Sequence, residues 1–217
     1  MRLSTSNRFT VVSKIINLKS EMYMADTSLI MKLRTLSGVG IVDCQQALTQ
    51  SNDDYDKAVE FLRKRGQKVA AAKQERETKE GIVHAYIHGQ GRVGVLVELS
   101  CETDFVARND EFKAFAHDVA MHIAAANHLY VKSEDIPTEV LEKEKEIYRE
   151  QMAVENKSDE IKEKIIIGKL NKYYQETCLL NQQFIKDDSQ TIQQLVQSTI
   201  AKTGENIQIR RFCRFSL

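Results

Sequence analysis

From Val93 to Cys101 every second residue is apolar: Val93, Val95, Val97, Leu99 and Cys101 alternate with Gly94, Leu96, Glu98 and Ser100. A period of two fits a β-strand with one buried face and does not fit one face of a helix. We place that strand over Arg92–Cys101 and a second over Gly81–His88, with Gly89-Gln90-Gly91 as the hairpin turn between them. A half-buried strand needs an apolar layer against it. The following segment, Asn109–Asn127, supplies one, because Phe112, Phe115, Val119, Ile123 and Ala126 form a single helical stripe.

The rest of the chain reads mostly as helix. One Pro and nine Gly in 217 residues exclude collagen-like and proline-rich linker architectures. Residues 26–66 hold three short helices. The first is capped by Thr27 or Ser28 and carries Leu29, Ile30, Leu33 and Leu36; Ser37-Gly38-Val39-Gly40 breaks it. The second runs from about Ile41 to Thr49. The third is capped by Asp53 or Asp54 and stops at Gly66. Residues 67–80 form a basic linker, within a stretch from Arg63 to Lys79 that has seven basic and two acidic residues. Residues 81–217 form an α+β body. It has an exposed helical hairpin over about 138–175, a strand-like stretch over Thr177–Lys186, a helix from Thr191 to Lys202 ending at Gly204, and a last strand over Asn206–Phe215. The fold class is α+β, with an antiparallel sheet of about three strands backed by helices.

Lys plus Arg equals Asp plus Glu, 31 each, which argues against a protein that coats nucleic acid by bulk charge. No run approaches the roughly 18 apolar residues of a membrane span. Cys44, Cys101, Cys178 and Cys213 form no C-x-x-C pair, so a zinc ribbon or thioredoxin-type site is unsupported and a reducing compartment is the simpler reading. Residues 1–25 carry Arg2, Arg8, Lys14 and Lys19 before the first acid, Glu21. That composition fits an organelle extension, a disordered tail, or a start at Met24.

Several familiar motifs fail on context. Gly89-Gln90-Gly91-Arg92-Val93-Gly94 matches the dinucleotide fingerprint, but a strand follows where a helix N-terminus is required. His84 and His88 share a strand face, whereas His117 and His122 fall on different faces of one helix, so no metal-ligand spacing emerges. There is no nucleophile elbow and no phosphate loop. We expect no catalytic residue, metal or cofactor. The informative segment is Thr103-Asp104-Phe105-Val106, which joins the strongest strand to the strongest helix. Phe105 either folds back into the core or is an aromatic anchor offered to a partner.

At these residues the chain resembles the translation elongation factor Ts family, guanine-nucleotide exchange factors for elongation factor Tu. The resemblance covers about residues 27–217. It rests on Leu33-Arg34 with Ser37–Cys44 and Ala47-Leu48, on Gly94–Glu98 running into Cys101–Asn109, on Met121-His122-Ile123-Ala124-Ala125, and on Gly204–Phe212. It implies a ubiquitin-associated-like N-terminal module and a single core subdomain. It also implies that Thr103, Asp104, Phe105 and Val106 meet the GTPase near its magnesium and help displace it, and that Arg34, Ile41, Val42 and His122 dock on the partner. Here Ile41-Val42 stands where the family usually has two methionines, and Ser37 where Thr is usual.

The partner implied is elongation factor Tu in its GDP form, with no direct nucleic-acid contact. The alternative is an RNA-associated module using the basic linker with Arg210, Arg211 and Arg214. A homodimer is expected through the final strand, where Ile207, Ile209, Cys213 and Phe215 are placed on one face; the same face could instead pack on core helices. The compartment is bacterial cytoplasm or plastid stroma. The wealth of Lys, Ile, Asn and Gln tilts the reading to the plastid.

Overall fold

The computed structural model describes residues 26–126, 128–155 and 157–217, so the readings made of residues 1–25 lie outside the described part. The chain divides into two compact units, one up to Ala71 and one from Ala72 onward.

Three helices make the first unit. Helix α1 (Thr27–Ser37) is capped by Asp26, whose carboxylate accepts from the Ser28 N–H at 2.9 Å, rather than by Thr27 or Ser28. Gly38, at φ 69°, ends it by donating to the Arg34 carbonyl. Helix α2 spans Ile41–Gln50 and α3 spans Tyr55–Lys73. Asp54 caps α3 through the Lys57 N–H at 3.1 Å. Ile30, Leu33, Cys44, Ala47, Leu48, Ala58 and Leu62 form the core, with Leu29, Val39 and Phe61 against it. Burying each Leu contributes roughly 1.5–3 kcal/mol. Gly66 does not stop α3. A glycine ends a helix when it adopts the left-handed conformation, and Gly66 is instead a buried helical residue in the row Ala58, Leu62, Gly66, Ala70.

The second unit is α+β. Strands β1 (Glu80–His88), β2 (Val93–Cys101) and β5 (Gln208–Ser216) form an antiparallel sheet with β2 in the centre. Gly89, Gln90 and Gly91 all take positive φ in the β1–β2 turn. Gly81 is required by close approach: a Cβ there would press into the Leu99 carbonyl oxygen and lie 2.8 Å from the Ser100 Cα. Val95, Val97, Leu99 and Cys101 are buried on the inner face, as the alternation predicts. Helix α4 (Asp104–Arg108) follows β2, and α5 (Asp110–Ala125) lays Phe112, Phe115, Val119 and Ile123 into the core.

Helices α6 (Thr138–Ala153) and α7 (Asp159–Thr177) form the hairpin, with Met152, Ile166 and Leu170 as its small core and Lys169 over the Tyr148 ring at 5.4 Å. The stretch 177–186 is not one strand. Helix α7 runs through Thr177, Cys178 bridges Tyr130, Leu179–Asn181 is a 3-10 turn, and only β3 (Gln183–Phe184) pairs, with β4 (Asp187–Thr191). Helix α8 (Ile192–Thr203) opens on a capping box between Thr191 and Gln194 and closes on Gly204 at φ 75°.

A register shift in β5 decides which residues share a face. Leu99 pairs with Ile209, but Glu98 pairs with Arg211, which leaves Arg210 as the extra residue of a bulge. Ile207 and Ile209 are therefore buried, while Cys213, opposite Leu96, and Phe215, opposite Gly94, lie on the outer face. The expectation that Ile207, Ile209, Cys213 and Phe215 form one face is corrected: simple alternation fails across the bulge. The outer face is built instead from Val83 (67% exposed), Ala85, Ile87 (66% exposed), Leu96, Cys213 and Phe215 (72% exposed).

Candidate partner-binding site

Strand β2 carries the chain out of the core at Cys101, and α4 begins three residues later. Phe105 projects from α4 with 84% of its surface exposed, whereas Val106, the next residue, is 8% exposed and Ala107 is buried with it. Of the two readings of Phe105, the described chain holds the outward one. Val106 is part of this chain's own core. Asp104 and Arg108 pair across one turn at 3.1 Å on the surface, an interaction worth a few tenths of a kcal/mol.

The start of α4 is hung on a residue far along the chain. Glu205 accepts from the Glu102 N–H at 3.2 Å and the Thr103 N–H at 3.0 Å through one oxygen, and from the Thr103 hydroxyl at 2.6 Å through the other. In return Glu102 accepts from the Asn206 N–H at 2.6 Å. The Asn206 side chain donates to the Gln74 and Arg76 carbonyls at 3.3 and 2.8 Å, and Arg76 reaches Glu102 at 3.5 Å. Thr103 sits at the N-cap of α4 without spending its hydroxyl on the helix. Beneath this knot the Cys101 thiol donates to the Thr103 carbonyl at 3.2 Å. Burial, reinforced by the Glu205 charge, pushes that thiol up to about 11, so it stays protonated and unreactive.

In the first unit, Arg34, Ile41 and Val42 are all exposed, Val42 by 75%. Leu36 and Met31 are exposed beside them on α1. Leu36 has the helical spacing of Ile30 and Leu33 but is not buried with them. The inward row runs through buried Ile30 and Leu33 to half-buried Ser37, whose hydroxyl donates to the Leu33 carbonyl at 2.7 Å. Ile41 and Val42 open α2 directly after Gly40, so their outward direction follows from being in the first turn, ahead of buried Cys44.

His122 does not share that exposure. Its ring is 3% exposed, accepts from the Ile185 N–H at 3.3 Å, and stacks on His128 with centroids 5.1 Å apart. A ring packed among α5, His128 and Phe184 cannot touch a partner without moving, so the docking role expected of His122 is not met by its position. Burial lowers the His122 pKa. Burial, with the neighbouring His122 and Arg214, lowers that of His128 to about 4. His84 and His117 meet on the surface, ring nitrogens 3.3 Å apart. Among the described residues no group of three or more His, Cys, Asp or Glu is placed to hold a metal ion, and no helix is long and apolar enough to cross a membrane.

The basic groups behind the RNA alternative are largely engaged. Arg211 pairs with Glu98 at 2.6 Å, Arg214 donates to the Ala124 carbonyl at 3.3 Å, Arg76 reaches Glu102, and Lys73 donates to the Gly204 carbonyl.

Comparison with known proteins places these features in one context. The model of the family Elongation factor TS matches residues 33–200. Elongation factor Ts of Syntrophus aciditrophicus is 52% identical over 191 residues, 88% of this chain and 95% of the relative. That of Geobacter sulfurreducens is 52% identical over 86% of each chain, and that of Carboxydothermus hydrogenoformans is 52% identical over 89% of each. The matched span runs from the second half of α1 through most of α8 and includes the whole Phe105 segment. The chain belongs to the elongation factor Ts family, of the bacterial type, and is a translation elongation factor.

Proposed function

We propose that this chain accelerates release of GDP from elongation factor Tu and acts by binding alone, without a catalytic residue of its own. The observation that carries the reading is Phe105: a large apolar side chain, 84% exposed, on a one-turn helix whose backbone is fixed from behind. An aromatic left uncovered by the described residues is the residue type that supplies binding energy at protein interfaces.

The mechanism follows from linkage. A GTPase of this kind holds GDP through phosphate-loop contacts and a Mg²⁺ that bridges phosphate oxygens. A partner that binds best to the conformation lacking those contacts must weaken the nucleotide by the factor by which the nucleotide weakens the partner. Burying Phe105 in an apolar pocket of the GTPase would offset the lost Mg²⁺ contacts, with roughly 1.5–3 kcal/mol from a fully buried Phe side chain. Thr103 and Asp104 would then stand at the rim of the contact. Val106 serves the same site from inside, by anchoring α4. Arg34, Ile41 and Val42, with Leu36, give the N-terminal unit a separate apolar contact carrying one positive charge.

The reading includes action in a bacterial-type cytoplasm. The plastid preference drawn from composition gains no support from the three relatives named above, which are all bacterial. It also includes self-association through the outer sheet face. The RNA alternative is the weaker reading, since Arg214 is held by the Ala124 carbonyl and Arg211 pairs with Glu98.

The experiment is stopped-flow release of fluorescent GDP from purified elongation factor Tu with increasing amounts of this chain. Acceleration that saturates and changes little with salt is expected. An unchanged release rate would refute the reading, and a steep inverse dependence on salt would favour phosphate binding.

A further inference from the structure

We propose that Glu205 is a positioning residue for Phe105: it sets the direction in which α4 presents the ring to the partner. The proposal rests on the reading of Phe105 given above.

Helix α4 is five residues long, far too short to hold its own geometry. Its direction must come from its anchors. Val106 and Ala107 hold it from the core side, and Asn109 ends it by capping α5, accepting from the Glu111 N–H at 2.9 Å. The remaining anchor is at its start, and there the only carboxylate that grips the backbone is Glu205, among the described residues. Three hydrogen bonds from two consecutive residues fix the Glu102–Thr103 backbone in position and in rotation. They are charge-assisted on the acceptor side, the stronger class. The grip is reciprocal, because Glu102 holds the Asn206 N–H.

Glu205 has no comparable task at its own place in the chain. Helix α8 is already ended by the Gly204 N–H donating to Ile200. The left-handed turn at Gly204 instead swings residue 205 back toward β2, so that one oxygen meets the Glu102 and Thr103 N–H groups and the other the Thr103 hydroxyl. A side chain 102 positions beyond Thr103 thus defines where the aromatic points.

The test is a double-mutant cycle read in GDP release from elongation factor Tu, with thermal melting of each variant alongside. Glu205→Gln removes the charge that strengthens all three bonds. It should lower the exchange enhancement by about tenfold. Thr103→Val, which removes only the 2.6 Å bond and keeps the shape, should lower it by roughly threefold. In a Phe105→Ala background both losses should nearly vanish, since a positioning residue has nothing left to position. A merely structural tie would reduce stability equally in both backgrounds and cut exchange by the same factor in each; that result would overturn the proposal. Wild-type exchange by both Glu205→Gln and Thr103→Val would overturn it too. If Phe105→Ala itself exchanges normally, the reading of Phe105 fails first, and the positioning role falls with it.

Discussion

Phe105 and Val106 are neighbours in sequence and opposites in space: one is 84% exposed and the other 8%. On a helix, adjacent residues are turned about 100° apart, so a one-turn helix lying on a core can bury Val106 and Ala107 while Phe105 faces outward. Two apolar side chains in a row therefore divide into an anchor and a contact.

That division makes opposite predictions for the two substitutions. Phe105→Ala should leave the melting temperature nearly unchanged, because exposed truncations are usually within about 0.5 kcal/mol. It should lower the GDP-release enhancement by about tenfold or more. Val106→Ala should do the reverse, costing about 2 kcal/mol of stability. Melting curves beside release kinetics decide the matter; a Phe105→Ala variant that no longer melts cooperatively would mean the ring is structural.

A second expectation concerns acid. His122 and His128 are buried and their pKa values are lowered, His128 from the ordinary 6.5 to about 4. A histidine with a lowered native pKa is held neutral by the fold, so below pH 6.5 the unfolded chain binds more protons than the native one. Stability is then fully present above about pH 6.5 and is lost as pH falls toward 4. For His128 alone the loss by pH 4 is on the order of 3 kcal/mol. Denaturant titrations at pH 7.5 and 5 should show the decline, and a His128→Phe variant should flatten it. Equal pH dependence in that variant would assign the effect elsewhere.

Gly81 offers a test of the sheet. Its missing Cβ admits the Leu99 carbonyl and the Ser100 Cα. Backbone atoms cannot step aside as a flexible side chain can, so Gly81→Ala should push β1 off β2 locally and cost about 1–3 kcal/mol. Gly91→Ala, with nothing within 4 Å, meets no such obstacle and differs only in its left-handed φ of 91°. Unfolding free energies of the two variants should therefore differ, with Gly81→Ala the less stable.

The sheet and its covering helix were legible because Val93–Cys101 and Phe112–Ile123 repeat with unbroken periods, and burial of one face leaves few alternatives. The stop at Gly204 was legible for the same local reason, and of the two cap candidates Asp53 and Asp54 the chain uses Asp54. What escaped the sequence reading depends on contacts made far along the chain. Gly66 reads locally as a stop, although Ala70-Ala71-Ala72 beyond it favours helix, and α3 runs through both. Nothing near Arg210 announces a bulge, since a bulge is set by how β5 meets β2. Glu205 has no local signal of its role because the groups it holds are at 102 and 103. Phe105 was visible as an apolar residue among polar ones, but its direction was not, because both outcomes satisfy the same spacing.

The bulge changes what self-association should look like. Had β5 alternated without interruption, Ile207 and Ile209 would have shared a surface with Cys213 and Phe215. Stepping over Arg210 sends the two isoleucines into the core and leaves Val83, Ile87, Leu96, Cys213 and Phe215 on the outer face, with the Glu98–Arg211 pair beside them. An apolar sheet face without cover is an interaction surface, and one chain's face is self-complementary to a second copy turned by a two-fold axis. Phe215→Asp with Ile87→Lys should therefore keep the fold, since both positions are exposed, and abolish a dimer. Ile209→Asp should unfold the chain, since a buried unpaired carboxylate there has no partner. Sedimentation over a wide concentration range separates the cases. A dimer in the wild type that survives in the Ile87→Lys, Phe215→Asp variant would move the interface off this face, and a wild type that stays monomeric at every concentration would remove self-association from the function altogether.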